Sequence, residues 1–248
     1  FTVSPAGLCV EAVDANAACA TEDSTCSAFI AAGDSFAVKI SGRQWQMGES
    51  NPADYCDNGT TPNFKLNDIP LTHSVVAPSG GVTGDLGVQV ASITSNGEAT
   101  ISAQTISEVG VFTITAQPPA YFGVDTIPDA TSAAIGRFYP DRFVLSDAVI
   151  TNRVDLSCAG TPDFSYMGEI FQASFKLTAQ NVSGGQTKNY TGGFAKLDQQ
   201  SELGLVLVDN PTGGSLTNLV SRQNVTNDTF SWPAVGEADL GQGTVSVE

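Results

Sequence analysis

Cysteines are the residues of this chain with the clearest chemical potential. Four of the five lie in the first quarter of the sequence, at Cys9, Cys19, Cys26 and Cys56, and the fifth is Cys158. Their spacings do not match paired C-x-x-C zinc knuckles, and the only histidine is distant from them in sequence, so structural zinc is a poor explanation. Disulfide bonds in an exported chain explain the cluster better.

Four cysteines can pair in three ways, and the sequence does not choose rigorously among them. We favour Cys19–Cys26, which closes a short loop, together with Cys9–Cys56, which closes a longer one. In the chain-entropy account, the longer loop gains about 4 kcal/mol of stability and the shorter about 2–3 kcal/mol. Cys158 is then either a buried free thiol or half of a bond to a partner outside this sequence.

The acidic segment 54–59 holds the best candidate for a metal site. Asp54, Asp57 and Asn58 would supply the oxygen atoms that calcium prefers. The segment lacks the alternating acidic ladder of a dedicated calcium loop, so Asx turns at Asp57 and Asn58 are the favoured interpretation. We therefore expect no cofactor, with calcium as the single alternative.

Two aromatic residues of the first half are candidates for ligand contact. Trp45 lies among polar neighbours just beyond a predicted strand, and Tyr55 lies within the acidic segment. Aromatic rings with a polar edge commonly contact sugars or proteins. Covering the end of a hydrophobic core is the commoner role of such a residue, and it stays open here.

No catalytic motif is present in the sequence. The nucleophile elbow Gly-x-Ser-x-Gly, the zinc-binding His-Glu-x-x-His and the glycine-rich phosphate loops are all absent. A Ser–His–Asp triad would have to use His73, in a segment that looks like an ordinary strand or loop. We expect no enzymatic activity, and a hydrolase whose acidic residues meet only in the fold is the less favoured alternative.

Net charge excludes two classes of partner. The chain has 10 Lys and Arg against 26 Asp and Glu, a formal charge of −16. This charge disfavours sequence-independent binding to nucleic acid and electrostatic docking on anionic lipid. No run of about 18 apolar residues is present to span a membrane. Because neither end looks natural, we expect an internal fragment of a longer protein.

Alternation of apolar and polar residues with a period of two dominates the chain, which is typical of half-buried strands. It is clearest at 35–41, 110–116 and 171–180, and further candidate strands are 86–94, 99–103, 143–148, 203–208, 229–232 and 244–247. Asn96-Gly97 predicts a tight hairpin turn, and 182–185 predicts a second one. Only 24–32 and 198–203 could supply a turn or two of helix. The pattern predicts an all-β fold of two tandem immunoglobulin-like antiparallel β-sandwich domains with little helix.

A proline-containing stretch at 117–135 predicts the domain division. We place a cysteine-containing sandwich at 1–135 and a second sandwich at 136–248, which opens with the run GRFYPDRF. Pro140 restricts the backbone there, so the run is predicted to be an inter-domain joint with aromatic residues as its wedge. The residues of this joint are Arg137, Phe138, Tyr139, Asp141 and Phe143.

The same run carries a family resemblance. Residues 136–143, followed by 164–168 and 189–192, resemble the MshQ-like family of bacterial surface proteins, and runs 55–58, 61–64 and 107–110 are similar to its preceding segment. That family accompanies the genes of the mannose-sensitive haemagglutinin (MSHA) type IV pilus, and no catalytic or ligand residues carry over from it. The resemblance implies a structural or adhesive module at the surface of a Gram-negative bacterium. Pilus or cell-surface components, glycans among them, are the expected partners.

Overall fold

The computed structural model describes residues 3–48, 52–123, 127–152, 171–197 and 229–247. Short 3-10 turns occur at Ala15–Ala17, Pro52–Asp57 and Gly192–Phe194, and the described residues contain no α-helix. The strands of these residues are β1 Gly7–Ala12, β2 Phe36–Arg43, β3 Leu66–Ala77, β4 Val90–Ile93, β5 Glu98–Gln104, β6 Gly110–Ala116, β7 Ala130–Thr131, β8 Ile135–Phe138, β9 Arg142–Thr151, β10 Gln172–Gln180, β11 Thr229–Ser231 and β12 Gln242–Val247. The predicted strand at 203–208, the helical turn at 198–203, the run 164–168 and Cys158 lie outside the described residues.

Strands β1–β8 form two antiparallel sheets that pack face to face, and we call this unit the N-terminal sandwich. One sheet has the order β1–β2–β5, and the other has the order β4–β3–β6, with β7 and β8 both paired to β6. Alternate apolar residues of β2 and β6, namely Phe36, Val38, Ile40, Phe112, Ile114 and Ala116, are buried in one core that β1, β3 and β4 share. Period-two alternation therefore identified the core-facing side of β2 and β6 correctly.

Strands β9–β12 form a second antiparallel sheet, in the order β11–β12–β10–β9, which we call the C-terminal sheet. Along β10, the apolar face of the alternation comprises Ala173, Phe175, Leu177 and Ala179. Of these, only Leu177 and Ala179, near the end of the strand, are buried. Ala179 belongs to a cluster that includes Val109 and Val111 of the N-terminal sandwich. The prediction of an all-β chain built of antiparallel β-sandwich domains is confirmed.

The Asn96-Gly97 turn forms as predicted, but it does not join two strands of one sheet. Both residues have a positive φ, 55° and 68°, and the amide of Glu98 donates to the carbonyl of Ser95. However, β4 pairs with β3 and β5 pairs with β2, so the turn is a corner between the facing sheets. A tight turn sets the local chain direction, while burial of each strand's apolar face decides which sheet it joins.

The helical turn predicted at 24–32 does not form, because residues 24–26 lie in a turn capped by Asp23 and residues 27–31 run alongside β8. The amide of Phe29 donates to the carbonyl of Arg137 at 2.9 Å, and the amide of Tyr139 donates to the carbonyl of Ile30 at 3.2 Å. On its other side, β8 pairs with β6. The free edge of β8 thus gives the segment backbone partners that outweigh a weak local helical tendency.

Two disulfide bonds stabilise the N-terminal sandwich. Cys9 of β1 is bonded to Cys56 in the 3-10 turn Pro52–Asp57, and Cys19 is bonded to Cys26. This is the pairing favoured from the sequence. Within the described residues, no helix is long and apolar enough to cross a membrane.

Candidate functional site

The junction between the N-terminal sandwich and the C-terminal sheet holds the densest set of buried polar contacts across the two units. The segment 181–191, which follows β10, packs against the loops that end at Val82 and Val109. We use the word junction for this contact and for the apolar cluster beneath it.

Asn189 is the central polar residue of the junction. Its side chain is 2% exposed, and its Oδ1 accepts the amide of Val82 at 2.8 Å. Its Nδ2 donates to the carbonyls of Val82 and Val109, at 2.7 and 2.9 Å. Gly81 permits this approach, because a Cβ at that position would lie 2.8 Å from the Asn189 Oδ1. One amide side chain therefore satisfies three backbone groups of the other unit.

Glu108 makes the reciprocal contact, from the N-terminal sandwich to the segment 181–191. Its carboxylate is buried and accepts the amides of Lys188 and Asn189, at 3.0 and 3.1 Å, as well as that of Val109 at 3.0 Å. Burial raises the pKa of the Glu108 carboxyl, and the three amide donors act in the opposite direction. A buried carboxylate that accepts from both units holds their backbones in a defined register.

A third polar contact lies beside these two. The Nδ2 of Asn181 donates to the carbonyl of Ser107 at 2.9 Å, and the amide of Val182 donates to the carbonyl of Ala32 at 3.0 Å. Asn181 is itself buried, and its Oδ1 accepts the amide of Gly185 within the predicted turn at 182–185. The turn is therefore part of the junction.

Apolar side chains from both units fill the space beneath these hydrogen bonds. Phe143 of β9 lies with its ring centroid 5.3 Å from that of Tyr190 and 5.9 Å from that of Trp232. Tyr190 and Trp232 are in edge-to-face contact at 4.7 Å, an arrangement that aromatic pairs prefer. The cluster is completed from the N-terminal sandwich by Cys19, Ala32, Ala77, Val109, Val111 and Ala134.

The predicted joint residues at 137–143 divide between this cluster and other surroundings. Phe143 lies in the junction, as described, and the Nε of Arg137 donates to the carbonyl of Cys26 at 3.0 Å. Tyr139 is 37% exposed, and Asp141 forms an ion pair with Arg142 at 2.7 Å. The block is thus attached to both units.

Phe138 has a different position from the wedge that the sequence predicts. It is fully buried in the core of the N-terminal sandwich, where it contacts Phe29, Phe36 and Phe112 at centroid distances of 5.5, 5.5 and 5.8 Å. It is the last residue of β8, whose pairing with β6 directs this side chain inward. Its role is therefore in the sandwich core.

The two predicted ligand-contact aromatics are not brought together as one binding surface. Trp45 is 61% exposed, whereas Tyr55 is only 9% exposed and packs over Gly7, where a Cβ would overlap its ring. Tyr55 is held in this place by the neighbouring Cys9–Cys56 bond. Its ring covers β1, and its role as a ligand contact stays a prediction.

The candidate calcium residues serve the local structure where they are described. Asn58 is 3% exposed, its Nδ2 donates to the carbonyl of Gln44 at 2.9 Å, and its own carbonyl accepts from Arg43 at 2.8 Å. Asp57 is exposed, and the side chain of Asp54 lies outside the described part of the structure. Among described residues, no three His, Cys, Asp or Glu side chains lie together as a metal site would require.

Glu108, Asn181 and Asn189 were not identified as site residues from the sequence. Two of them belong to the runs 107–110 and 189–192, which carry the resemblance to a surface-protein family, and these runs contact each other across 81 residues of chain. Their shared place in that resemblance is the one signal in the sequence that points to a contact between them.

Family models match nearly the whole chain. The model for the second domain of DUF6701 matches residues 4–105, and the model for the third domain matches residues 108–248. No curated protein and no solved structure matches the chain. The two family models meet just before β6, whereas the core of the N-terminal sandwich continues to Phe138; the division predicted at 135/136 stays a prediction.

Proposed function

The chain belongs to the DUF6701 family, and we propose that it is a non-enzymatic structural or adhesive module of an exported bacterial surface protein associated with the MSHA type IV pilus. In this role the N-terminal sandwich and the C-terminal sheet act as one rigid spacer. The resemblance of 136–143, 107–110 and 189–192 to the MshQ-like family supports the pilus association.

The junction is the observation that carries the proposal. A spacer that transmits force or holds a binding surface away from the cell needs a fixed angle between its domains. Inter-domain contacts are commonly small and permit relative motion. Here the side chain of Asn189 bonds to the backbone of Val82 and Val109, and the carboxylate of Glu108 accepts the amides of Lys188 and Asn189. The bonds to the carbonyl of Val109 and from the amide of Asn189 are buried, and losing either would cost about 1–3 kcal/mol.

Covalent structure and charge support the exported location. Two disulfide bonds are typical of chains that fold in an oxidising compartment. A formal charge of −16 favours solubility and discourages self-association in the crowded space outside the cell. Both features suit a surface component of a Gram-negative bacterium.

Rotational diffusion measured by ¹⁵N relaxation tests the spacer role. We expect amides of the N-terminal sandwich and of the C-terminal sheet to fit a single diffusion tensor in the wild-type chain. Asn189→Ala should loosen the junction and separate the correlation times of the two units. Two independent tensors in the wild-type chain would refute the rigid spacer.

Cell fractionation tests the location and the pilus association. Antibody against this chain should label intact, unpermeabilised cells of the source bacterium, and the protein should be found in sheared pilus preparations. A pilus-gene deletion strain is the matched control. Label confined to the cytoplasm would contradict the surface location. An unchanged surface distribution in the deletion strain would contradict the pilus association.

Trp45 favours a second candidate function, a carbohydrate-binding module. Its indole is 61% exposed, and the nearby Met47 is 90% exposed. An exposed aromatic face is a common platform for a sugar ring. A glycan array probed with the wild-type chain and with Trp45→Ala tests this; equal signals from both would exclude Trp45 as the platform. The calcium alternative gains no support from the described residues.

A further inference from the structure

A cleft of about 270 Å³ opens at the junction, beside the joint block 136–143. Its walls come from both units and are mainly apolar, and they include Tyr139, Pro140, Phe143, Tyr190 and Leu197. The cleft is large enough for one large apolar side chain. It is separate from the Glu108 and Asn189 contacts.

Two basic residues, Arg137 and Lys196, also line this cleft. The Nε of Arg137 donates to the carbonyl of Cys26, which holds the guanidinium in place. Over the described part of the chain, the terminal nitrogens of Arg137 and the Nζ of Lys196 form no direct hydrogen bond or ion pair. The exposed carboxylate of Asp23 is near enough to Lys196 to interact with its charge, but it does not contact the Nζ. Such groups are scarce here, because the chain has 10 basic residues against 26 acidic ones. Two cations without a direct carboxylate contact, beside an apolar wall, are complementary to an anion that carries an apolar body.

Among the described residues that line the cleft, the side-chain polar groups are the two cations and the hydroxyls of Tyr139 and Tyr190. The hydroxyl of Tyr190 already accepts the amides of Lys196 and Leu197, at 3.0 and 2.8 Å. A sugar ring needs several donors and acceptors for its hydroxyl groups, whereas a carboxylate on an apolar residue needs only the two cations and a hydrophobic wall. This chemistry is that of the last residue of a polypeptide.

We propose that the cleft binds the C-terminal residue of a partner polypeptide. The α-carboxylate lies between Arg137 and Lys196, and the guanidinium is suited to bind it in a bidentate manner. The apolar side chain of that residue packs against Tyr139 and Phe143. Since Tyr139 is 37% exposed, it forms the wall that solvent and a ligand can reach.

Binding of an N-acetylated tetrapeptide that ends in phenylalanine tests the proposal. Isothermal titration calorimetry with the full chain should show that the free-acid peptide binds at least about tenfold more tightly than its C-terminal amide, because the amide lacks the charge. Lys196→Met should weaken binding of the free acid about two- to fivefold, as expected for an exposed cation. Arg137→Gln should weaken it by about tenfold or more.

Lys65→Met is the matched control, because Lys65 is an exposed cation of the N-terminal sandwich away from the cleft, and it should leave binding unchanged. Arg137 also supports the segment that contains Cys26, so the exposed Lys196 provides the variant that does not depend on folding. Equal affinity for acid and amide, no binding of the acid, or an unaltered affinity in Lys196→Met would overturn the proposal. Binding of glucuronic acid in preference to the peptide would also overturn it and favour a sugar. None of these results bears on the spacer role, which depends on the relative tumbling of the two units.

Discussion

Replacing Asn189 by alanine should destabilise the junction. The substitution removes one acceptor and two donor hydrogen bonds that join the segment 181–191 to the N-terminal sandwich. It leaves the backbone amide of Asn189 free to keep its bond to Glu108. The perturbation is therefore confined to the side-chain contact.

The magnitude follows from the groups that lose their partner. The carbonyl of Val109 is in a fully buried residue, and an unsatisfied buried carbonyl costs about 1–3 kcal/mol. Val82 is 38% exposed, so water can replace part of the bonding to its amide and carbonyl. We expect Asn189→Ala to lower the free energy of unfolding by about 2–4 kcal/mol in total.

Urea denaturation followed by circular dichroism and by tryptophan fluorescence measures this loss. Trp232 lies in the junction cluster, whereas Trp45 is exposed in the N-terminal sandwich, so fluorescence after Trp45→Phe reports on the junction alone. Asn63→Ala is the matched control, because Asn63 is exposed in a loop, and it should change stability by less than about 0.5 kcal/mol.

A loss below about 1 kcal/mol for Asn189→Ala, equal to that of the control, would refute the reasoning. It would mean that water replaces the three hydrogen bonds without cost, and that the apolar cluster alone holds the two units together. A loss of the expected size without a change in relative tumbling would show that the amide stabilises the segment 181–191 rather than the inter-unit angle.

Four further predictions follow from the same structure. Burial raises the pKa of Glu108 above its ordinary value of 4.5. The free energy of unfolding of the wild-type chain, relative to that of Glu108→Gln, should therefore be greatest below pH 4.5 and fall as the pH rises through the folded-state pKa. Urea titrations across that range would contradict this if the difference stayed flat. Gly97→Ala should lower the free energy of unfolding by about 2–4 kcal/mol, because its φ is 68° and a Cβ would overlap a backbone carbonyl oxygen. Gly48→Ala is the control and should cost only about 1 kcal/mol, since Gly48 has a φ of 99° and open space around it. Equal losses in thermal denaturation would show that only backbone strain matters. Phe138→Ala should lower the stability of the N-terminal sandwich by about 3–5 kcal/mol, and hydrogen exchange that weakened protection only in the C-terminal sheet would be the contrary result. Under oxidising conditions, Cys9→Ala should lower the free energy of unfolding by about 2–5 kcal/mol relative to the wild-type chain. If the loss were the same under reducing conditions, it would not come from the disulfide.

Local signals in the sequence were sufficient for much of the N-terminal sandwich. The alternation at 36–40 and 112–116 identified both the strands and their buried faces, because side chains of a strand point to opposite sides at every step. Asn96-Gly97 identified a tight turn, because both positions need a positive φ that few other residues tolerate. The pairing Cys19–Cys26 with Cys9–Cys56 was favoured among three possible connectivities, and the structure selects it.

The tertiary structure alone decided which distant segments meet. The extended course of 27–31 depends on the free edge of β8, more than 100 residues later in the chain, and local propensity carries no information about that edge. Phe138 is directed into the sandwich core by the pairing of β8 with β6, not by its own neighbours in sequence. The contact between Glu108 and Asn189 depends on two loops that only the packed sheets bring to one place. Residue type and spacing thus indicated many of the strands and turns, whereas the junction required long-range hydrogen bonds between side chains of one unit and the backbone of the other, which no local pattern encodes.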